Sequence, residues 1–183
     1  GRLAAGDIRE VQIEDLLGRA PVRMDTAGML SFIAGRRVLV TGAGGSIGSE
    51  LARQVARLAP GCLVLVDRAE FALFEIDREI RRSWPDLPVL ARVADVGDAA
   101  RMRRIFELDR PSVVLHAAAH KHVPMMEANP AEALKNNVLG THVVGRLAGL
   151  YHAEAVVVIS TAKAVRPSSI MGATKRLAEI IAQ

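Results

Sequence analysis

Residues 38–48, Val38-Leu39-Val40-Thr41-Gly42-Ala43-Gly44-Gly45-Ser46-Ile47-Gly48, decide the fold. The three apolar residues read as a buried strand, the glycines as a tight turn, and Ser46 as the start of a helix running to about Leu58. A glycine-rich turn placed directly between strand and helix presents free backbone N–H groups and the positive end of the helix dipole to a phosphate. Gly42 permits the turn, Gly45 lets a pyrophosphate approach the backbone, and Gly48 lets helix and strand pack closely. Ser46 and Ile47 stand in the first helical turn, beside the phosphates.

Downstream, strand and helix alternate. Apolar strands are expected at Leu63–Val66, Val89–Val93, Val113–His116 and Ala155–Ile159, the last read as buried. Helices are expected near residues 70–83, 99–108, 130–152 and 168–182. Such alternation indicates βαβ units, hence an α/β fold with a doubly wound, Rossmann-like parallel sheet and right-handed crossovers. Residues 36–183 form the expected dinucleotide-binding domain, read as truncated because a doubly wound domain usually adds further strands. Residues 1–35 read as an arm: an amphipathic stretch from Ile8, then a short helix at Met29–Ile33 closed by Gly35.

Composition agrees with one domain of 183 residues. Half of the residues are hydrophobic but only 3% aromatic, so the core is aliphatic, as suits a parallel sheet covered by helices. The net charge of +4 comes from arginines spread among acids, and no basic tract is interleaved with aromatics. Nucleic acid is therefore not an expected partner. The single cysteine, Cys62, excludes an internal disulfide and reads as a buried thiol. No apolar run approaches the ~20 residues of a membrane span, so no membrane contact by this segment is expected. No signal peptide is visible, and the start at Gly1 reads as cut from a longer chain.

Ligands of open α/β sheets bind beyond the carboxyl ends of the strands. Asp67 ends the second strand, where an acid accepts both ribose hydroxyls of NAD, while Arg68 offers the alternative of neutralising the 2′-phosphate of NADP. Asp95 and Val96 follow the third strand, where a side chain reaches adenine or caps the next helix. His116-Ala-Ala-Ala-His120-Lys121-His122 follows the fourth. The histidines lack a spacing that gathers them on a metal. Ala117 and Ala118 suit a backbone passing beside a cofactor, with Lys121 and His122 toward the mouth. Asn136 and Asn137 read either as amides serving the site or as surface residues. Thr161 and Lys163 lie just beyond the fifth strand, and Met171 and Lys175 share one face of the last helix. One lysine there suits the nicotinamide ribose, and a second, desolvated, suits a base.

These residues resemble the extended short-chain dehydrogenase/reductases. Within them Gly42-Ala-Gly-Gly-Ser-Ile-Gly, His116-Ala-Ala-Ala-His-Lys-His-Val-Pro, Asn136-Asn-Val-x-Gly-Thr and Lys163-Ala-Val-Arg-Pro are similar to the nucleotide-sugar 4,6-dehydratases of bacterial polysaccharide synthesis, in particular the large membrane-anchored UDP-N-acetylglucosamine group. The resemblance implies a UDP-sugar substrate, a homo-oligomer, and a cytoplasmic domain of a protein anchored in the bacterial inner membrane. It implies that hydride passes from C4 of the sugar to NAD, that a base takes the C5 proton while an acid protonates the departing 6-hydroxyl, and that hydride returns to C6. By position Lys163 matches the base, Thr161 the hydroxyl touching the sugar and Lys175 the ribose-binding lysine. Lys121, His122 and Asn137 match the substrate side. Met171 stands where most relatives carry tyrosine, as in the large dehydratases.

Two departures follow from the same comparison. The pattern Thr-Asp-Lys, whose aspartate is the general acid, here reads Thr161-Ala162-Lys163. A methyl group donates no proton, so poor dehydration is expected. His120 stands where tyrosine is usual. The C-terminal substrate lobe of the family is missing from this sequence, so weak nucleotide-sugar binding is expected. The competing expectations are a non-catalytic dinucleotide-binding module and a C4 epimerase or reductase, the latter disfavoured by Met171.

Overall fold

The computed structural model describes residues 25–183. The amphipathic stretch expected from Ile8 lies outside the described residues. The elements are α1 (Thr26–Ile33), β1 (Arg37–Thr41), α2 (Ser46–Arg57), β2 (Cys62–Asp67), α3 (Glu70–Ser83), β3 (Val89–Val93), α4 (Ala99–Asp109), β4 (Val113–His116), α5 (Val123–Ala128), α6 (Pro130–Ala133), a π-helical segment (Leu134–Leu139), α7 (Gly140–Leu150), β5 (Ala155–Val158), a 3-10 turn (Ala162–Ala164) and α8 (Ile170–Ile181).

The five strands form one sheet in the order β3-β2-β1-β4-β5, and every neighbouring pair is parallel. The chain thus winds outward from β1 in both directions, the doubly wound arrangement expected from the sequence. Side chains alternate between two cores, as the pleat requires. Val38, Val40, Leu63, Leu65, Val113 and Leu115 face α2 and α3 through Ala52, Val55, Leu73 and Ile76. Leu39, Val64, Val66 and Val114 face α4 and α7 through Met102, Ile105, Phe106 and Leu147. Burial on both faces explains why β1 and β2 read as unbroken apolar runs. Cys62 is buried in the second core, a free thiol as expected.

Three elements differ from the sequence expectation. The strand at 155–159 is not buried: Val156 and Val157 are 39% and 43% exposed. Among the described residues β5 pairs only with β4, so it lies at the sheet edge, a placement that an apolar run does not encode. The single helix expected over 130–152 is broken into α6, the π segment and α7. A further helix, α5, begins at Val123 behind the N-cap His122 and carries Pro124 in its first turn, where proline costs no hydrogen bond.

Candidate functional site

The glycine turn has the geometry its sequence demands. Gly42 sits at φ +66°, and a Cβ there would lie 2.7 Å from the Ala118 nitrogen. Thus the β1 turn and the β4 loop touch backbone to backbone, which requires glycine at 42. A Cβ on Gly48 would lie 1.9 Å from the Gly42 carbonyl, so Gly48 seats the first turn of α2 on the glycine turn itself. Gly45 is the N-cap of α2, and no side chain caps that helix. Its first N–H groups therefore remain directed at whatever occupies the turn.

Two adjoining cavities open at the carboxyl ends of the strands and share Ala117, Ala119 and His120. The first, about 230 Å³, is lined by Gly42 and Gly45, by Asp67 and Arg68, and by Asp95 and Val96. The second, about 300 Å³, is lined by Ile47 and Lys121, by Thr161 and Lys163, and by Met171 and Lys175. The structure therefore brings the expected residues together in two groups, on either side of the three alanines. Ser46 reaches the second group through its hydroxyl, which accepts a hydrogen bond from Lys121 Nζ at 3.3 Å. His122 stands apart from both cavities, exposed at the start of α5.

Asp67 is held rigidly. Its Oδ2 accepts the Gly44 N–H and its Oδ1 the Ala69 N–H, both at 2.9 Å, and each oxygen of this cavity-lining carboxylate keeps capacity to accept another hydrogen bond. Asp95 Oδ1 accepts the Gly97 N–H at 2.8 Å, so it closes a local turn, while Asp98 caps α4. Lys175 is buried on α8, and its Nζ donates to the Ile159 carbonyl at 2.5 Å. Burial pushes its pKa below the usual lysine value, against an opposing pull from Glu179. Lys163 is exposed, so the desolvated lysine of this site is Lys175 rather than the expected base. Ala162 opens the 3-10 turn with its methyl exposed, while Thr161 Oγ1 accepts the Lys163 N–H at 3.4 Å.

Behind the cavities runs a buried polar chain that sequence reading missed. His116 is not near a metal-binding partner; it lies between Thr41 Oγ1, 2.7 Å from Nδ1, and Thr141 Oγ1, 3.0 Å from Nε2. Thr141 spends its only hydrogen on the Asn137 carbonyl, at 2.7 Å. It must therefore accept from His116 Nε2–H, which leaves Nδ1 to accept from Thr41. The ring is neutral, with its pKa pushed down to about 3 by burial and then by the charge of Lys175. Asn136 and Asn137 are buried, which settles the alternative of surface amides. Asn137 Oδ1 accepts the His120 N–H at 2.7 Å and an N–H of the Asn136 amide at 3.1 Å. Its Nδ2 donates to the His120 carbonyl at 3.1 Å and to Thr174 Oγ1 at 3.0 Å. All four hydrogen-bonding positions of that amide are thus used internally, and it reaches the cavities through the His120 backbone. The only signal in the sequence was the pair of asparagines itself.

Residues 38–183 match the family model described as polysaccharide biosynthesis protein. The chain is 47% identical over 182 residues to the probable polysaccharide biosynthesis protein EpsC of Bacillus subtilis, covering 99% of this chain and 30% of that protein. It is 43% identical to the capsular polysaccharide biosynthesis protein CapD of Staphylococcus aureus, covering all of this chain and 31% of that one. It is 30% identical over 142 residues to the UDP-N-acetylglucosamine 4,6-dehydratase (inverting) of Campylobacter jejuni, covering 77% and 41% of the two chains. Among solved structures, Pen from Bacillus thuringiensis superposes with a TM-score of 0.74 at 29% identity, over 82% of this chain and 44% of that one. A UDP-glucose 4-epimerase from Stenotrophomonas maltophila, solved with bound NAD and formylated UDP-arabinopyranose, shares the fold, with a TM-score of 0.71 at 24% identity over 80% and 47% of the chains. The chain thus spans about 30% of the length of its first two curated relatives.

Proposed function

The chain belongs to the polysaccharide biosynthesis protein family, whose relatives include nucleotide-sugar dehydratases, and from that membership we propose that it is the NAD-binding part of a UDP-N-acetylglucosamine 4,6-dehydratase in which Ala162 disables the dehydration step. The observation that carries this reading is the meeting of the glycine turn, Asp67 and the Thr161–Lys163–Lys175 group at one row of strand ends. The residues fit a dinucleotide: an uncapped helix N-terminus, a turn with no room for a Cβ at Gly42, and a carboxylate oriented by two N–H groups.

The dinucleotide supplies a hydride acceptor at C4 of the sugar and the same hydride back at C6. The chain supplies the rest. Lys175, anchored on the Ile159 carbonyl, holds the nicotinamide-side ribose. Thr161 orients the sugar, and Lys163 takes the C5 proton once C4 is a ketone. Loss of the 6-hydroxyl as water then needs one proton delivered to that oxygen, and position 162 is where the donor belongs. Because a well-placed general acid is worth ~10²–10⁴-fold in rate, its absence leaves an enzyme that binds and oxidises but eliminates slowly. In the cell the whole protein is proposed to sit at the inner membrane with this domain in the cytoplasm. Among the described residues no helix is long and apolar enough to cross a membrane.

The test is formation of the 4-keto-6-deoxy product from UDP-N-acetylglucosamine by the full-length protein, followed by mass spectrometry. Ala162→Asp is expected to raise the rate by ~10²-fold or more. A wild-type protein as fast as its Ala162→Asp variant removes the assignment of position 162. No turnover by either, with dinucleotide still bound, favours the second reading, a non-catalytic dinucleotide-binding module.

A further inference from the structure

One contact crosses the cofactor-side cavity. Arg68 follows β2 and His120 follows β4, and β1 lies between those two strands in the sheet. The hydrogen bond from Arg68 Nη2 to His120 Nε2, 3.1 Å, therefore spans the crevice at the carboxyl end of β1. A guanidinium only donates, so His120 Nε2 accepts and the ring is neutral. On its other side Arg68 Nη1 faces Asp95 Oδ2 at 3.4 Å. Asp67 is satisfied by the Gly44 and Ala69 N–H groups instead, so the guanidinium stands beside the ribose carboxylate without being spent on it. His120 has a firm footing, because the buried Asn137 amide grips both its N–H and its carbonyl. The Arg68 head is thus held from two sides, by Asp95 and by His120.

We propose that His120 is a positioning residue for dinucleotide choice: by holding the Arg68 guanidinium across the rim of the adenosine-side cavity, it lets the site take a 2′-phosphorylated dinucleotide as well as the unphosphorylated one, with the phosphate taking over Arg68 and His120 then gaining a proton. This rests on the dinucleotide reading above. An arginine beside the ribose acid is the group that accommodates a 2′-phosphate, and a guanidinium already held in place loses less freedom on binding it. The groups that face His120 are Arg68 from the loop after β2, Asp95 from the loop after β3 and Glu132 from α6. Burial first, and Arg68 second, hold its pKa below the usual value, while Glu132 and Asp95 pull the other way. A phosphate on Arg68 cancels one depressing charge and adds an attracting one, so the ring takes up a proton on binding. Affinity for the phosphorylated dinucleotide then rises as pH falls.

The experiment is titration calorimetry of the protein with NAD and with NADP between pH 8 and pH 6, on wild type, His120→Phe and His120→Gln. Expected for wild type is binding of both, with the NADP-to-NAD affinity ratio rising toward low pH by up to ~10-fold per pH unit, the limit for one proton. His120→Phe loses the anchor, and the ratio falls by about three- to tenfold, the cost of ordering one long side chain. His120→Gln keeps an acceptor but does not titrate, so it restores the ratio at pH 8 and its pH course is that of the phosphate alone. A His120→Phe ratio equal to wild type, or identical pH courses for wild type and His120→Gln, overturns the proposal. NAD binding without NADP binding also overturns it and leaves the dinucleotide reading standing. Binding of neither removes both.

Discussion

A histidine buried neutral is a store of pH-dependent stability. His116 has its two nitrogens committed to Thr41 and Thr141, and its pKa lies near 3 in the folded chain, well below the ~6.5 of a free imidazole. In the window between those values the unfolded chain binds the extra proton, so stability is fully present above about pH 6.5 and is lost as pH falls. The slope expected from this one group is up to ~1.4 kcal/mol per pH unit. Urea titrations between pH 6.5 and pH 5, above the range where carboxylates protonate, read it directly; His116→Gln is expected to flatten the slope, and a slope unchanged in that variant contradicts the assignment. Gly48 makes an equally local prediction. Because an added Cβ meets the Gly42 carbonyl at 1.9 Å, Gly48→Ala displaces the backbone of the turn and not merely a flexible side chain. An overpacking cost of ~1–3 kcal/mol and loss of dinucleotide binding are expected from urea unfolding and calorimetry on that variant.

The π segment Leu134–Leu139 lines the first cavity with Asn136 and reaches the helix that bears Lys175 through Asn137. One wider turn in a helix rotates the following residues, and π-helical turns gather at functional sites for that reason. Here the segment buries Asn136, Asn137 and Val138 together. Asn137 thereby joins the His120 backbone to Thr174 on α8, one residue before Lys175. Asn137→Ala strands the His120 N–H and carbonyl and the Asn136 amide, while the Thr174 hydroxyl keeps its bond to the Met171 carbonyl, so a loss of ~1–3 kcal/mol per orphaned buried group is expected from denaturation curves. Asn137→Asp keeps the acceptor for His120 N–H but not the two donations, and should fall between. Equal stability of all three chains contradicts the linking role. Of this the sequence offers only the two asparagines, as amides that could serve the site. The alternation of apolar strands with amphipathic helices, and the glycine turn after β1, announce the sheet because they depend on neighbours in sequence. The widened turn, the edge position of β5 and the seat of His116 between two threonines depend on partners 25 to 75 residues away. The spacing of the histidines argues against a metal but says nothing of the buried hydrogen-bonded chain to which His116 belongs.

At the scale of the molecule, β1 divides the domain. Residues at the ends of β2 and β3 supply Asp67 and Asp95, and residues beyond β4 and β5 supply Ala117, Thr161 and Lys163. The polar chain from Thr41 through His116, Thr141 and Asn137 to Thr174 runs behind both groups and ties the glycine turn to α8. A dinucleotide laid along the strand ends touches both halves, so its binding energy is shared by the whole fold and not by one loop. At a free concentration of 100 Kd it is expected to add ~2.7 kcal/mol to the stability of the domain. Hydrogen exchange locates that gain: protection should rise after β2 and β3, around Asp67 and Asp95, and equally beyond β4 and β5, around Ala118 and Lys175. Adenosine monophosphate covers only the first cavity, so it is expected to protect the β2–β3 side and leave the amides of residues 159–163 unchanged. Protection that stops at β1 with the full dinucleotide contradicts the extended mode of binding and confines the ligand to the adenosine side.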